Sequence, residues 1–183
     1  IVGDAHAKPG TDLSRFTWLG KYVVDTKPDV IIDMGDWEDM PSLCSYDKGT
    51  KSYEGRRYKE DIKAARKARE MFNAPLSDYN DHARSIKKRQ YQPSLLALGC
   101  NHFEKRVRRA IEYSPELDGL ISEEDHGCEE FGWDRIPFLE PVTVAGFTFS
   151  HYFQGNGTAN PLAMGKHPAS VLLREKHTSC VMG

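Results

Sequence analysis

The sequence predicts an α/β fold with a largely parallel centre, and three observations lead to it. A strand-like end at residues 1–2, an amphipathic stretch at 13–26 and an apolar run at 30–34 give the order strand, helix, strand. A second apolar run at 93–98 has the same strand character. Polar residues with metal-binding side chains follow the strands, where α/β sheets place their chemistry.

The composition is that of one globular domain: 183 residues, of which 39% are hydrophobic and 28% charged. No run approaches the roughly 18 apolar residues that a membrane span needs, and no leader opens the chain. We therefore expect a cytoplasmic protein without membrane contact. Four scattered cysteines without a CxxC pair predict reduced thiols. The chain starts without a methionine and stops after a strand-like segment, so we expect that one or both ends continue.

The first βαβ unit brings polar groups to two strand ends. Asp4 and His6 leave the first strand with one residue between them, so that both side chains can face the same way. Thr11 or Asp12 is expected to cap a helix from 13 to about 26. Its predicted inner face consists of Phe16, Leu19, Tyr22 and Val23.

The strand at 30–34 leads into Gly35-Asp36-Trp37-Glu38-Asp39. A carboxylate at the position of Asp36 can give one oxygen to each of two metal ions about 3.5 to 4 Å apart. Asp39, three residues on, is placed to orient a catalytic side chain.

Residues 51–90 form a basic segment with a net charge of +6, whereas the rest of the chain carries −8. Helical spacing gives an apolar stripe of Tyr58, Ile62, Ala65, Ala68 and Phe72. Most of the basic residues are expected off that stripe: Arg56, Arg57, Lys59, Lys63, Lys67 and Arg69. We predict a helical hairpin, inserted over about 44–93, that turns at Ala74-Pro75 and ends near Gln90.

The remaining elements follow in order. The strand at 93–98 ends in Gly99-Cys100-Asn101-His102, and a helix is expected from about 104 to 112. Residues 133–138 are a candidate strand, and alternating apolar positions at 142–151 predict a hairpin that turns at 145–146 and ends at His151. A loop at 155–157, a helix at 169–176 and a strand at 179–182 complete the prediction.

Six polar residues fall at or just past predicted strand ends: Asp4, His6, Asp36, Asn101, His102 and His151. Carboxylate and amide oxygens mixed with imidazoles suit Mn, Fe, Zn or Mg. A single His or Asn at a strand end is usually an ordinary hydrogen-bonded residue. Six at consecutive strand ends instead indicate a metal centre.

These blocks, in this order, resemble the D-x-H, G-D-x-x-D, G-N-H and downstream H motifs of the calcineurin-like metallophosphoesterases. The resemblance spans nearly the whole chain. The basic insertion and Ser150-His151-Tyr152-Phe153 look like the small phosphoesterases of bacteriophages, which would place the protein in the host cytoplasm.

The resemblance implies a βαβ sandwich of two sheets flanked by helices, and two divalent metal ions, Mn first with Fe, Zn, Mg or Ni as alternatives. Asp4 and His6 would bind the first ion, Asp36 would bridge, and Asn101 and His151 would bind the second. His102 would be the general acid that protonates the leaving oxygen, held by Asp39.

The implied activity is phosphoester hydrolysis. The basic insertion favours phosphodiesters, including nucleic acid, with Arg56, Arg57, Lys63 and Lys67 as candidate substrate-binding residues. Solvated helix faces are the plainer interpretation of these charges. The alternatives are a phosphomonoesterase, a protein phosphatase, or a binding module that has lost catalysis. A nucleotide-binding domain is disfavoured because no glycine-rich phosphate loop is present.

Two departures from the family pattern bear on the site. The Gly-Asn-His block carries an extra residue, Cys100, and the acidic residue that often follows the histidine is displaced to Glu104. The family closes its site with a Gly-His-x-His block whose glycine would stand at Gly183. Either those ligands follow Gly183, or this stretch of chain binds metal weakly.

Overall fold

The computed structural model describes residues 1–155, 161–162 and 165–183. Two of the three residues of the predicted loop at 155–157 lie outside that part of the chain. Within it the protein is α/β, with four helices and two sheets of three strands each.

The first sheet is parallel and contains β1 (Val30–Asp33), β2 (Ser94–Leu98) and β3 (Asp134–Ile136) in that order. Val2 forms a parallel bridge with Asp33 and exchanges backbone hydrogen bonds of 2.8 Å with Ile32 and Met34. The predicted parallel centre and its strands at 30–34, 93–98 and 133–138 are therefore confirmed, whereas the predicted strand end at 1–2 is an isolated bridge at Val2.

The second sheet contains β4 (Val142–Val144), β5 (Phe147–Ser150) and β6 (Ser179–Met182). The first two strands form the predicted antiparallel hairpin, and β6 runs parallel to β5. Ala145 and Gly146 make the turn with φ values of 51° and 83°, the left-handed conformation that tight hairpins require. The two sheets face each other across an apolar cluster that includes Ile32, Leu98 and Phe149.

The helices are α1 (Ser14–Thr26), α2 (Tyr58–Ser85), α3 (Glu104–Tyr113) and α4 (Pro168–Lys176). Short 3₁₀ turns span Pro41–Leu43, Lys51–Tyr53, Pro115–Leu117 and Cys128–Phe131. None of the described helices combines the length and apolar character needed to cross a membrane. All four cysteines are free thiols, as predicted.

The inner face of α1 differs from the prediction at one residue. Phe16 and Val23 are buried, but Tyr22 is 64% exposed. Gly20 takes the buried position, because a Cβ there would lie 2.2 Å from the carbonyl oxygen of Phe72 in α2. The absence of a side chain lets the two helix backbones touch.

The predicted helical hairpin is wrong, since α2 is one helix of 28 residues that continues through Pro75. An interior proline removes one backbone hydrogen bond and crowds the preceding turn, which is the reason to expect a break. Packing outweighs that local cost here. Phe72 and Leu76, on either side of Pro75, are both buried in the core that contains Trp37, and α1 presses against the helix at that point. The helix ends at Ser85 instead of near Gln90.

Candidate metal centre

The predicted site residues converge at the carboxyl ends of the strands. Ligand atoms of Asp4, His6 and Asp36 lie within 4.8 Å of one another. His151 Nε2 is 3.6 Å from Asp36 Oδ1, and His102 Nε2 is 3.9 Å from Asp36 Oδ2. Asp36 is thus within reach of ligand groups delivered by three other segments.

The two loops that carry these ligands contain strained backbone. Asp4, His6 and Asp36 have φ values of 39°, 47° and 54°, a region that costs a non-glycine residue about 1 kcal/mol or more. His6 N donates to Asp36 O at 2.8 Å and Ala7 N to Trp37 O at 2.7 Å, which fixes the loops side by side. Strain retained in this way is characteristic of functional sites.

The turn before Asp36 has room only for glycine. Gly35 has a φ of 95°, and a Cβ there would lie 2.7 Å from Cys100 Cβ and 2.8 Å from His151 Nδ1. The segments that carry Asp36, Asn101 and His151 can therefore approach one another closely.

Asp36 carries a buried oxygen with no partner. The residue is 7% exposed, and Oδ1 has no hydrogen bond with any residue that the structure describes. Leaving a buried carboxylate oxygen unpaired is costly, so such an atom needs an explanation. A divalent cation shared with neighbouring ligands supplies one, and the donor set present here fits it.

His151 is oriented for ligation by its hydrogen bonds. Its Nδ1 donates to the carbonyl of Met34 at 2.8 Å, which leaves Nε2 with a lone pair when the ring is neutral. That Nε2 lies 2.5 Å from Asn101 Oδ1, another acceptor. Two acceptors at this distance repel, and the contact is relieved by a proton on Nε2, by the reversed orientation of the Asn101 amide or by a metal cation bound to both atoms. Gly183, directly after β6, lies at the same place, with its N–H donating to His151 O at 3.0 Å.

His102 and Asp39 form a pair beside the ligand cluster. His102 Nδ1 is 3.2 Å from Asp39 Oδ1, and Lys8 Nζ donates to Asp39 Oδ2 at 2.9 Å. The hydrogen bond from His102, joined by Lys8, holds the pKa of Asp39 well below its usual range despite partial burial. Arg106 donates to Asp39 O at 2.5 Å. Ligand atoms of His6, Asp39 and His102 also lie within 4.8 Å of one another and form a second possible ion site.

The turn that delivers Asn101 is held by Glu104 and by close packing at Gly99. Glu104, which is 3% exposed, accepts a hydrogen bond from Cys100 N at 2.6 Å. Gly99 has no space for a side chain, because its Cβ would lie 2.5 Å from Phe138 N. Glu104 therefore holds the turn while Asn101 and His102 reach the site.

The candidate substrate residues lie along two neighbouring cavities. Arg56 and Arg57 line a cavity of about 510 Å³ that also touches Asp39 and Lys8. Lys63 and Lys67 line a cavity of about 230 Å³ that shares Lys8. Three of the four candidates are paired with acids: Arg56 with Asp47 at 2.6 Å, Lys63 with Glu60 at 3.9 Å and Lys67 with Glu70 at 3.0 Å.

Sequence reasoning missed a buried ion pair behind the site. Arg69, expected mostly off the apolar stripe, is 3% exposed and donates to Asp33 Oδ2 at 2.7 Å. Its guanidinium lies 4.0 Å from the ring centroid of Trp37 and 4.5 Å from that of Trp133. Asp33 Oδ1 accepts from Gly35 N at 3.1 Å and so supports the turn before Asp36. The signal was present, because an aspartate inside an apolar strand needs a buried partner.

Glu38 lies next to this ion pair. Burial raises its pKa to about 8, against the opposing effect of Arg69. The carboxyl group therefore holds a proton at neutral pH, which lowers the cost of burying it among other acids.

Comparisons of the chain with family models, curated proteins and solved structures returned no match. Support for a metal centre therefore comes from the ligand geometry and from the order of the motifs.

Proposed function

We propose that the protein is a two-metal phosphoesterase that acts by preference on phosphodiesters, including nucleic acid. The observation that carries the proposal is Asp36, a buried carboxylate with an unpartnered oxygen within reach of ligand groups from separate strand ends. That arrangement suits a bridging ligand between two ions. The order of the motifs, which resembles that of the calcineurin-like family, supports the same assignment.

In this proposal Asp4 and His6 hold one ion, Asn101 and His151 hold the other, and Asp36 belongs to both. Mn is the first choice, with Fe, Zn, Mg and Ni as alternatives. When bound, two such ions neutralise phosphate charge and lower the pKa of a water molecule so that it attacks phosphorus at neutral pH.

His102 carries the proton for the leaving group. Asp39 accepts from Nδ1, so the second ring nitrogen, Nε2, faces Asp36 at 3.9 Å. The low pKa of Asp39 keeps it ionised throughout the neutral range, so that it accepts the hydrogen bond from Nδ1 and fixes the ring. Donation from Nε2 to the departing oxygen prevents loss of an unprotonated alkoxide.

The preference for diesters rests on the cations beside the site. Lys8 is common to both cavities that hold Arg56, Arg57, Lys63 and Lys67, so a row of cationic side chains, three of them paired with acids, extends from Asp39 along the first turns of α2. A polyanionic backbone gains from such a row by releasing counterions. Phosphomonoesters and phosphoproteins, the other substrate classes of the family, would gain less binding energy from this row of cations.

The test is Mn-dependent hydrolysis of bis-p-nitrophenyl phosphate and of p-nitrophenyl phosphate. His102→Ala is expected to lower diester turnover by about 10² or more, the usual scale for an acid–base group. His82→Ala, at an exposed histidine of α2, is the matched control and should leave the rate unchanged. A folded protein that turns over neither ester with Mn, Fe, Zn, Mg or Ni would instead be a binding module.

A further inference from the structure

A further cavity, separate from the two described above, opens on the other side of Arg106. It has a volume of about 400 Å³ and lies between α3 and the segment that follows Asp39. The residues that line it include three cations, two tyrosines and one leucine: Lys48, Tyr53, Arg106, Arg109, Tyr113 and Leu117.

The charge of this cavity is of one sign. Three cations line it, and no carboxylate is among the described residues that do so. The cavity around Arg56 is different, because acidic residues such as Asp47 share its lining and pair with its cations. A cationic surface without compensating carboxylates attracts an anionic ligand.

Aromatic rings give the cavity a second property. Tyr113, at the end of α3, is 73% exposed, and the Arg109 guanidinium lies 5.4 Å from its ring centroid. The Tyr53 hydroxyl donates to Ser42 O at 2.6 Å, which fixes the position of that ring. Exposed aromatic rings beside arginine are the groups on which nucleic-acid bases stack.

Arg106 joins this cavity to the candidate metal centre. Its guanidinium donates to Asp39 O and to Met40 O at 3.0 Å, and lies 3.4 Å from His102 Nε2. The same side chain lines both the cavity beside Asp39 and the cavity with the tyrosines. The atom assigned to protonate the leaving oxygen therefore lies next to a side chain that lines this cavity.

We propose that this cavity binds the nucleotide on the leaving-group side of the scissile phosphodiester. Tyr113 and Tyr53 stack on the base, while Arg109 and Lys48 pair with the next phosphate along the strand. This assignment rests on the proposed function for its place in the reaction, but the binding itself is testable without catalysis.

The test is calorimetric titration of the full chain, with EDTA present, against AMP, adenosine and ribose 5-phosphate. Tyr113→Ala is expected to weaken AMP binding by about fivefold or more and to leave ribose 5-phosphate unaffected, because only AMP has a base to stack. Arg109→Gln should weaken both phosphates and leave adenosine unchanged. Tyr22→Ala, at a similarly exposed tyrosine on α1, is the control and should change none of the three.

The outcomes separate this proposal from the phosphoesterase. If AMP does not bind, or binds equally well to both variants, the proposed nucleotide site is wrong even if the protein hydrolyses phosphodiesters. If AMP binding depends on Tyr113 and Arg109 but the protein has no hydrolytic activity, the nucleotide site is supported and the phosphoesterase proposal is overturned. Equal loss of AMP and ribose 5-phosphate in Tyr113→Ala would overturn the stacking role.

Discussion

At the scale of single residues, the candidate centre depends on groups placed in costly environments. Asp36 combines a left-handed backbone with a buried, unpartnered oxygen. His151 presents Nε2 to an acceptor at hydrogen-bond distance. Each arrangement is unfavourable by itself, and a cation shared by the cluster relieves both.

His126 gives a prediction about pH. It is 5% exposed, and burial together with nearby Arg69 lowers its pKa to about 3. The unfolded chain, with an ordinary histidine pKa near 6.5, binds this proton over a range in which the folded chain does not. Stability contributed by neutral His126 is therefore complete above about pH 6.5 and is lost as the pH falls towards 3.

The substitution His126→Asn tests this effect. Asparagine does not titrate and can still accept from Cys128 N, which His126 Nδ1 does at 3.0 Å. Between pH 6 and 4.5, urea unfolding should show the original protein losing about 2 kcal/mol more than the variant. Other titrating groups, Glu38 among them, are present in both proteins, so their contributions to the pH dependence cancel in the comparison. Parallel pH profiles would mean that His126 is protonated in the folded state.

At the scale of elements, α2 does more than present charge. The apolar stripe residues Ala65, Ala68 and Phe72 are buried in the core next to the first sheet. Arg69, on the same face of the helix, forms its ion pair with Asp33 of β1. The helix thereby touches the strand whose end carries Asp36. The insertion is part of the core, and residues at its amino-terminal end line the cavity beside Asp39.

Arg69→Met is predicted to destabilise the protein by about 3 to 5 kcal/mol, because it leaves Asp33 buried without its partner. Adding Asp33→Asn should recover part of that loss, since the uncharged amide side chain still offers an acceptor to Gly35 N. The free energy of unfolding in urea measures both. Arg84→Met, at an exposed arginine of the same helix that pairs with Asp81, is the control and should cost no more than about 0.5 kcal/mol. Similar losses for Arg69→Met and Arg84→Met would contradict a structural role for the buried pair.

At the scale of the whole molecule, charge is divided between a basic segment and an acidic remainder. If the basic residues near the site hold a polyanion, replacing Arg56, Arg57, Lys63 and Lys67 by Gln should reduce DNA cleavage about tenfold or more relative to cleavage of bis-p-nitrophenyl phosphate. The salt dependence of DNA binding should become less steep, since each lost phosphate contact removes about 0.9 from the slope.

The matched control replaces Arg84, Lys87, Lys88 and Arg89 by Gln, which removes the same charge at the far end of α2, where these residues are exposed. If both sets of substitutions reduce DNA cleavage equally, the effect comes from net charge and the cavities beside Asp39 do not hold the backbone.

The sequence by itself determined the strands, three of the helices within two residues, the hairpin at 145–146 and the set of residues that meet at the strand ends. Those features depend on local periodicity, turn chemistry and the rule that parallel strands end at one edge. Tertiary structure alone decided that α2 continues through Pro75, that Gly20 replaces Tyr22 at the helix contact, and that Arg69 pairs with Asp33. In each case a local cost or preference is outweighed by contacts with residues distant in the chain, and the energies of those contacts are not encoded in any short window of sequence.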